Sequence, residues 1–220
     1  MSCAELEQAL AALLPAQVAF AVQDPRAQAV GLYPDEAAAV ARAVPKRRRE
    51  FAAGRRAARA ALARLGQAPA PIPSAPSRAP LWPRGFVGSI SHCDDLCLAI
   101  CARSDDILSL GCDIEARVPL PEGLWDAITT AKERDWLRRC DALLPIDVFS
   151  AKEAAFKALY PITQKMLGFQ DLSLSPQGAG RVCAELHTAA GACASGARVP
   201  LLSARLKAHV LFVSILTAPP

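Results

Sequence analysis

The stretch Leu110–Glu115, LGCDIE, sets two carboxylates, Asp113 and Glu115, into an apolar run that reads as a buried strand. Residues two apart on a strand share a face, so both acids meet one spot. Like charges that close raise each other's pKa unless a cation or a proton lies between them. Forty residues after Asp113, FSAKEAAFKALYP puts Glu153 and Lys157 at i and i+4 on one helical face. Alone, such a pair is a surface salt bridge of about 0.2–0.5 kcal/mol. Read with DIE, three carboxylates make a donor set suited to a hard cation such as Mg2+, which takes oxygen ligands and keeps waters or phosphate oxygens. Lys157, one turn along, would neutralise a phosphate bound to that ion, and His92 in GSISHC adds a donor at a strand end.

A second source of chemistry is basic. Residues 42–64 hold nine of the 25 Lys and Arg side chains with Glu50 as their one acid; the rest of the chain carries 16 basic and 20 acidic residues. One strongly basic helix on a mildly acidic chain points to an anionic partner rather than to general stickiness for polyanions. On a helical wheel Phe51, Ala58, Leu62 and Leu65 share a face, Arg48, Arg55 and Arg59 flank it, and Arg49 and Arg56 point away. Arg47 falls on the apolar side at the helix start, where an unpaired charge is costly. Arg47 and Arg55 are therefore assigned to a bound phosphate, whose oxygens fit guanidinium forks, and Arg49, Arg56 and Arg64 to a solvated face. There is no P-loop and no GxGxxG, which argues against ordinary nucleotide folds.

The elements that must carry these groups follow from periodicity and breakers. Helices are expected over 4–14, Pro34–Ala43 and 46–65, the last ending at Gly66, then a Pro-rich extended connector, QAPAPIPSAPSRAPLWP. Strands follow at Phe86–Ser91, Leu96–Arg103 and Ile107–Glu115, and helices at Leu124–Ala131, Ala131–Cys140 and Ile146–Tyr160. Short strands at Leu172–Ser175, Val182–His187, Leu201–Lys207 and His209–Leu216 close the chain. This order predicts an α+β fold of two similar lobes related by a pseudo-two-fold, each a small, mostly antiparallel sheet packed with a long helix. The lobes are placed at residues 1–106 and 107–220, with the active site in the cleft between them.

No apolar run approaches the ~20 residues of a membrane span. Glu5 and Glu7 precede the first basic residue, Arg26, so the basic n-region of a signal peptide is missing and the chain reads as cytoplasmic. Cys93, Cys97 and Cys101 recur every fourth residue, yet no CxxC occurs, and the eight cysteines read as small buried thiols without disulfides or metal.

KRRREFAAGRRAARAAL, PLWPRGFVGSISHC, LGCDIE and FSAKEAAFKALYP, in this order and spacing, resemble the 4′-phosphopantetheinyl transferases, in the branch of the enterobactin-synthesis and surfactin-type enzymes. The motifs cover roughly residues 40–170. The resemblance implies transfer of the phosphopantetheine arm of coenzyme A to a serine of an apo acyl or peptidyl carrier protein, with release of 3′,5′-ADP. It implies Mg2+ bound by Asp113, Glu115 and Glu153 with the pyrophosphate. Lys157 and His92 would contact phosphate, with Ser91 beside the histidine. Arg47 and Arg55 match positions that hold the 3′-phosphate end, so the first lobe would hold the nucleotide. QKMLGF resembles a segment lining a pantetheine tunnel and makes Leu167 a contact. Glu153, or a metal-bound water that it orients, is the implied general base. Ser74–Ser77 departs from the pattern: several relatives carry basic residues in this connector, where only Arg78 stands here. The implied partners are coenzyme A and a carrier protein, not a nucleic acid, and the chain reads as a monomer. Two other readings use the same residues: a Mg2+-dependent phosphohydrolase, and a nucleic-acid-binding module built on the basic helix, which would leave the carboxylates unexplained.

Overall fold

A computed structural model of the chain describes residues 2–139, 144–178 and 180–220. The chain divides into two compact units, Met1–Leu110 and Gly111–Pro220. Both are α+β, each with an antiparallel sheet and one long helix.

The first unit begins with α1 (Cys3–Leu13), whose first turn is closed by a reciprocal cap between Ser2 and Glu5. Leu6 and Leu10, four apart, are its fully buried positions. Then come β1 (Ala19–Gln23), α2 (Pro34–Ala39) and α3 (Pro45–Arg64), and after the connector β2 (Phe86–His92) and β3 (Cys97–Arg103). The sheet order is β1-β3-β2, both pairings antiparallel, with His92 opposite Cys97 at the β2–β3 turn. Central β3 is buried from Cys97 through Ala102, as a strand covered on both sides must be. On the helix side the core is small: Ala57, Ala58, Ala61 and Leu62 of α3 meet Ala21, Ala99, Cys101 and Ile72. A run of alanines lets helix and sheet backbones approach closely. Some segments differ from expectation. α2 stops at Ala39 rather than Ala43, β4 starts two residues later than expected, and the connector is anchored at Ile72, which is fully buried.

In the second unit β4 (Ser109–Ala116) is followed by α4 (Glu122–Ile128), α5 (Ala131–Arg139), α6 (Pro145–Thr163), a 3-10 turn at Phe169–Asp171, and β5 (Leu172–Gly178), β6 (Arg181–Leu186), β7 (Arg198–Arg205) and β8 (His209–Leu216). The sheet order β4-β8-β7-β6-β5 brings the last strand beside the first. Val182, Ala184 and Leu186 on β6, Val199 and Leu201 on β7, and Val210 and Phe212 on β8 pack against Ala151, Ala154, Ala155, Ala158 and Leu159 of α6. Burying each large aliphatic side chain contributes about 1.5–3 kcal/mol. α6 outruns the expected end at Tyr160, passes Pro161, and stops at Gln164 in the left-handed region, φ 51°. No helix among the described residues is long and apolar enough to cross a membrane.

Seven cysteines are free thiols, all but Cys3 buried; the eighth, Cys140, lies outside the described residues.

Candidate active site

In the second unit the site is built on the contact between β4 and α6. Gly111 shares a strand face with Asp113, and a Cβ there would lie 2.0 Å from the carbonyl oxygen of Ala154 and 2.6 Å from the amide nitrogen of Ala158. Only glycine permits that approach. At the far end of β4, Arg117 reaches Asp147 (3.3 Å) near the start of α6, so the helix runs antiparallel along the strand. Between these ends Lys157 Nζ donates to Asp113 Oδ1 at 2.7 Å and to the carbonyl of Cys112 at 3.2 Å.

Asp113 is 3% exposed, Glu115 half-buried, as i and i+2 at the end of a strand allow. Burial, the largest single effect, pulls the pKa of Lys157 down, but the charges of Asp113, Cys112 and Glu153 and the hydrogen bond to Asp113 together leave the ammonium above its ordinary value. Burial pushes the Glu153 carboxyl up, Lys157 draws it back, and Asp113 pushes it up again, for a net rise. Burial is the largest of these effects, so the site disfavours an uncompensated charge on Glu153. All three acids offer hard oxygens, which fit a divalent cation such as Mg2+. Such an ion completes its shell with waters and phosphate oxygens. Leu167, in the segment after α6, packs against the α6 core.

In the first unit the basic helix behaves differently from its wheel. Arg47 is not on a buried side: its side chain is 48% exposed, because the packed part of α3 begins four residues later at Phe51. Its Nη1 lies 2.9 Å from His92 Nε2. Arginine has no acceptor, so this contact requires an unprotonated Nε2. Glu50 sits within 3.6 Å of Arg47 and 3.9 Å of His92, and Lys46 reaches Asp94 at 2.6 Å. Glu50 escaped the sequence reading; its signal was its standing as the one acid among nine bases. Ser91 is buried beside His92.

Arg55, expected at a phosphate, is buried against the connector instead. It donates through Nε to the carbonyl of Ile72 (2.7 Å) and through Nη2 to Ser74 Oγ (2.9 Å), and lies 4.2 Å above the Phe51 ring. Burial pulls its pKa down to about 10. The amide of Ile72 donates to Glu36 Oε1 (2.8 Å), a fully buried carboxylate that Arg59 pairs at 2.7 Å. One connector residue is thus gripped by a cation at its carbonyl and an anion at its amide. Arg56 is partly buried rather than solvated and bonds the carbonyls of Gln28 and Val30.

A family profile for the 4′-phosphopantetheinyl transferase N-terminal domain matches residues 35–102, and one for the 4′-phosphopantetheinyl transferase superfamily matches residues 109–208. The 4′-phosphopantetheinyl transferase Svp of Streptomyces mobaraensis is 48% identical over 149 residues, 66% of this chain and 61% of that protein. The 4′-phosphopantetheinyl transferase PptT of Mycobacterium tuberculosis is 44% identical over 145 residues, 64% of each chain. The chain thus spans somewhat under two thirds of the length of these two relatives. The 4′-phosphopantetheinyl transferase Npt of Nocardia iowensis is 40% identical over 165 residues, 74% of each chain. On this similarity, and on motifs that the fold brings together at Asp113 and Lys157, the chain belongs to the 4′-phosphopantetheinyl transferase superfamily.

Proposed function

We propose that the chain transfers the 4′-phosphopantetheine group of coenzyme A to a serine hydroxyl of an apo acyl or peptidyl carrier protein and releases 3′,5′-ADP. The observation that carries this reading is the 2.7 Å contact of Lys157 with Asp113 beside a Glu153 carboxyl of raised pKa. Asp113, Glu115 and Glu153 would hold Mg2+, which when bound neutralises pyrophosphate charge and polarises the phosphoryl oxygens. Lys157, held on Asp113, offers a fixed ammonium to the oxygens that gain charge as the phosphoanhydride breaks. Glu153, or a metal-bound water that it would orient, takes the proton of the attacking serine hydroxyl. In the first unit Arg47 and His92 present donors to the 3′-phosphate, and Ser91 supports the histidine. Arg55 shapes the connector that borders the nucleotide, and Leu167 lines the pantetheine arm.

Intact-mass measurement of an apo carrier protein incubated with coenzyme A and Mg2+ tests the reading. A gain of one phosphopantetheine with equimolar 3′,5′-ADP is expected. Nucleotide release with an unmodified carrier would instead indicate a phosphohydrolase.

A further inference from the structure

Next to Glu153, on the opposite flank from β4, lies an ion pair that the proposed chemistry does not use. Lys152 is 1% exposed, and its Nζ donates to Glu133 Oε2 (2.8 Å), the carbonyl of Ile128 (2.9 Å) and the carbonyl of Phe169 (2.8 Å). An ammonium has three donors, and all three are spent. Glu133, also buried, accepts through Oε2 from the amide of Thr130 and through Oε1 from the amide of Leu174, both at 2.7 Å. One buried pair therefore joins the end of α4, the start of α5, the 3-10 turn and β5 to α6. Burial pulls the lysine's pKa down while Glu133 draws it back up.

The helical wheel gives this anchor its meaning. With Lys152 at zero, 3.6 residues per turn put Glu153 at about 100° and Lys157 at about 140°, with Ala154 and Ala158 at about 200° and 240°. Ala154 and Ala158 are the residues pressed against Gly111. The two functional side chains thus face out between two fixed sides of α6, the β4 contact and the Lys152 anchor. Ala151, Ala155 and Leu159 lie on the sheet by non-directional apolar packing, and the Lys152 anchor adds directional hydrogen bonds on the flank next to Glu153.

We propose that Lys152 and Glu133 are positioning residues for the transfer reaction: the pair sets the rotation and axial placement of α6, and through α6 the placement of Glu153 and Lys157. The inference rests on the roles assigned to those two residues above. It predicts an effect larger on the rate of the chemical step than on nucleotide affinity, since the 3′-phosphate end is assigned to Arg47 and His92, which α6 does not carry. Displacing a catalytic group by about 1 Å lowers rate by up to about 10²-fold.

The test separates positioning from stability. Removing one partner of a buried pair strands the other, whereas replacing both with apolar residues of similar size often leaves stability intact. The double variant Glu133→Leu/Lys152→Met is expected to unfold cooperatively near the wild-type temperature. Its kcat should fall about ten- to hundredfold while its affinity for 3′,5′-ADP falls by much less. A folded double variant with wild-type kcat overturns the proposal, as does one that loses 3′,5′-ADP affinity in parallel with rate. Should the double variant fail to fold, Glu133→Gln, which keeps the volume and one acceptor, decides: a fall in kcat well beyond any loss of 3′,5′-ADP affinity supports positioning, and wild-type kcat overturns it. Wild-type protein that modifies no carrier would instead defeat the functional reading, a result independent of both variants.

Discussion

The backbones of Gly111 and Ala154 approach so closely that a Cβ on Gly111 would lie 2.0 Å from the Ala154 carbonyl oxygen. That single missing side chain lets α6 lie on β4 and brings Lys157 to Asp113. Gly111→Ala must push the helix away or bend the strand, at a cost of about 1–3 kcal/mol or more. Each kcal/mol lowers the Tm of a chain this size by about 2–4 °C. The expected outcome is a lower Tm in a thermal melt and a transfer rate depressed well beyond the loss of folded protein. An unchanged melt and rate would show that the close approach is dispensable.

The raised pKa of Glu153 has a sign that can be measured. Its folded value lies above the ordinary 4.5, so the folded state binds this proton more tightly than the unfolded one, and the ionised carboxylate weakens the fold. Glu153→Gln should therefore raise Tm at pH 7–8 in metal-free buffer. That gain should shrink as pH falls through the raised pKa and vanish below about 4.5. In the same variant a base role predicts a rate loss of about 10²–10⁴-fold that added Mg2+ does not repair. A ligand role alone predicts a partial loss that high Mg2+ restores.

Arg47 and Arg55 should separate into a ligand contact and a structural clamp. Arg47→Ala removes a half-exposed side chain and should change stability by less than about 0.5 kcal/mol. It should weaken coenzyme A far more than 3′-dephospho-coenzyme A, by direct binding measurement. Equal loss for both ligands would remove the 3′-phosphate assignment. Arg55→Ala strands the buried carbonyl of Ile72 and should cost about 1–3 kcal/mol in denaturant unfolding.

These outcomes also mark where sequence was sufficient. The apolar run around LGCDIE and the 3.6-residue pattern of α6 set both elements, because periodicity is a local property; the contact of Asp113 with Lys157 is tertiary, permitted by the close approach at Gly111, and was not legible. The surroundings of Arg47 and Arg55 were not legible because a wheel gives direction but not where packing begins: Arg47 precedes the packed part of α3 and Arg55 lies within it. Glu36 and Lys152 look like surface charges in sequence; their burial is decided by Arg59, Ile72 and Glu133, which approach from other elements. Glu50 was readable only as an anomaly of sign. Pro161 pointed to a stop at Tyr160, yet the packed core of α6 carries the helix a further turn to Thr163.

The most direct measurement is the intact mass of an apo carrier protein after reaction with coenzyme A, with the wild type in Mg2+, the wild type in EDTA, and Asp113→Asn in Mg2+. Circular dichroism would confirm that the variant is folded. The account predicts complete addition of phosphopantetheine in the first reaction and none in the other two on the same time scale. Full modification in EDTA would contradict it, because Asp113 and Glu115 would then hold no ion that the transfer requires.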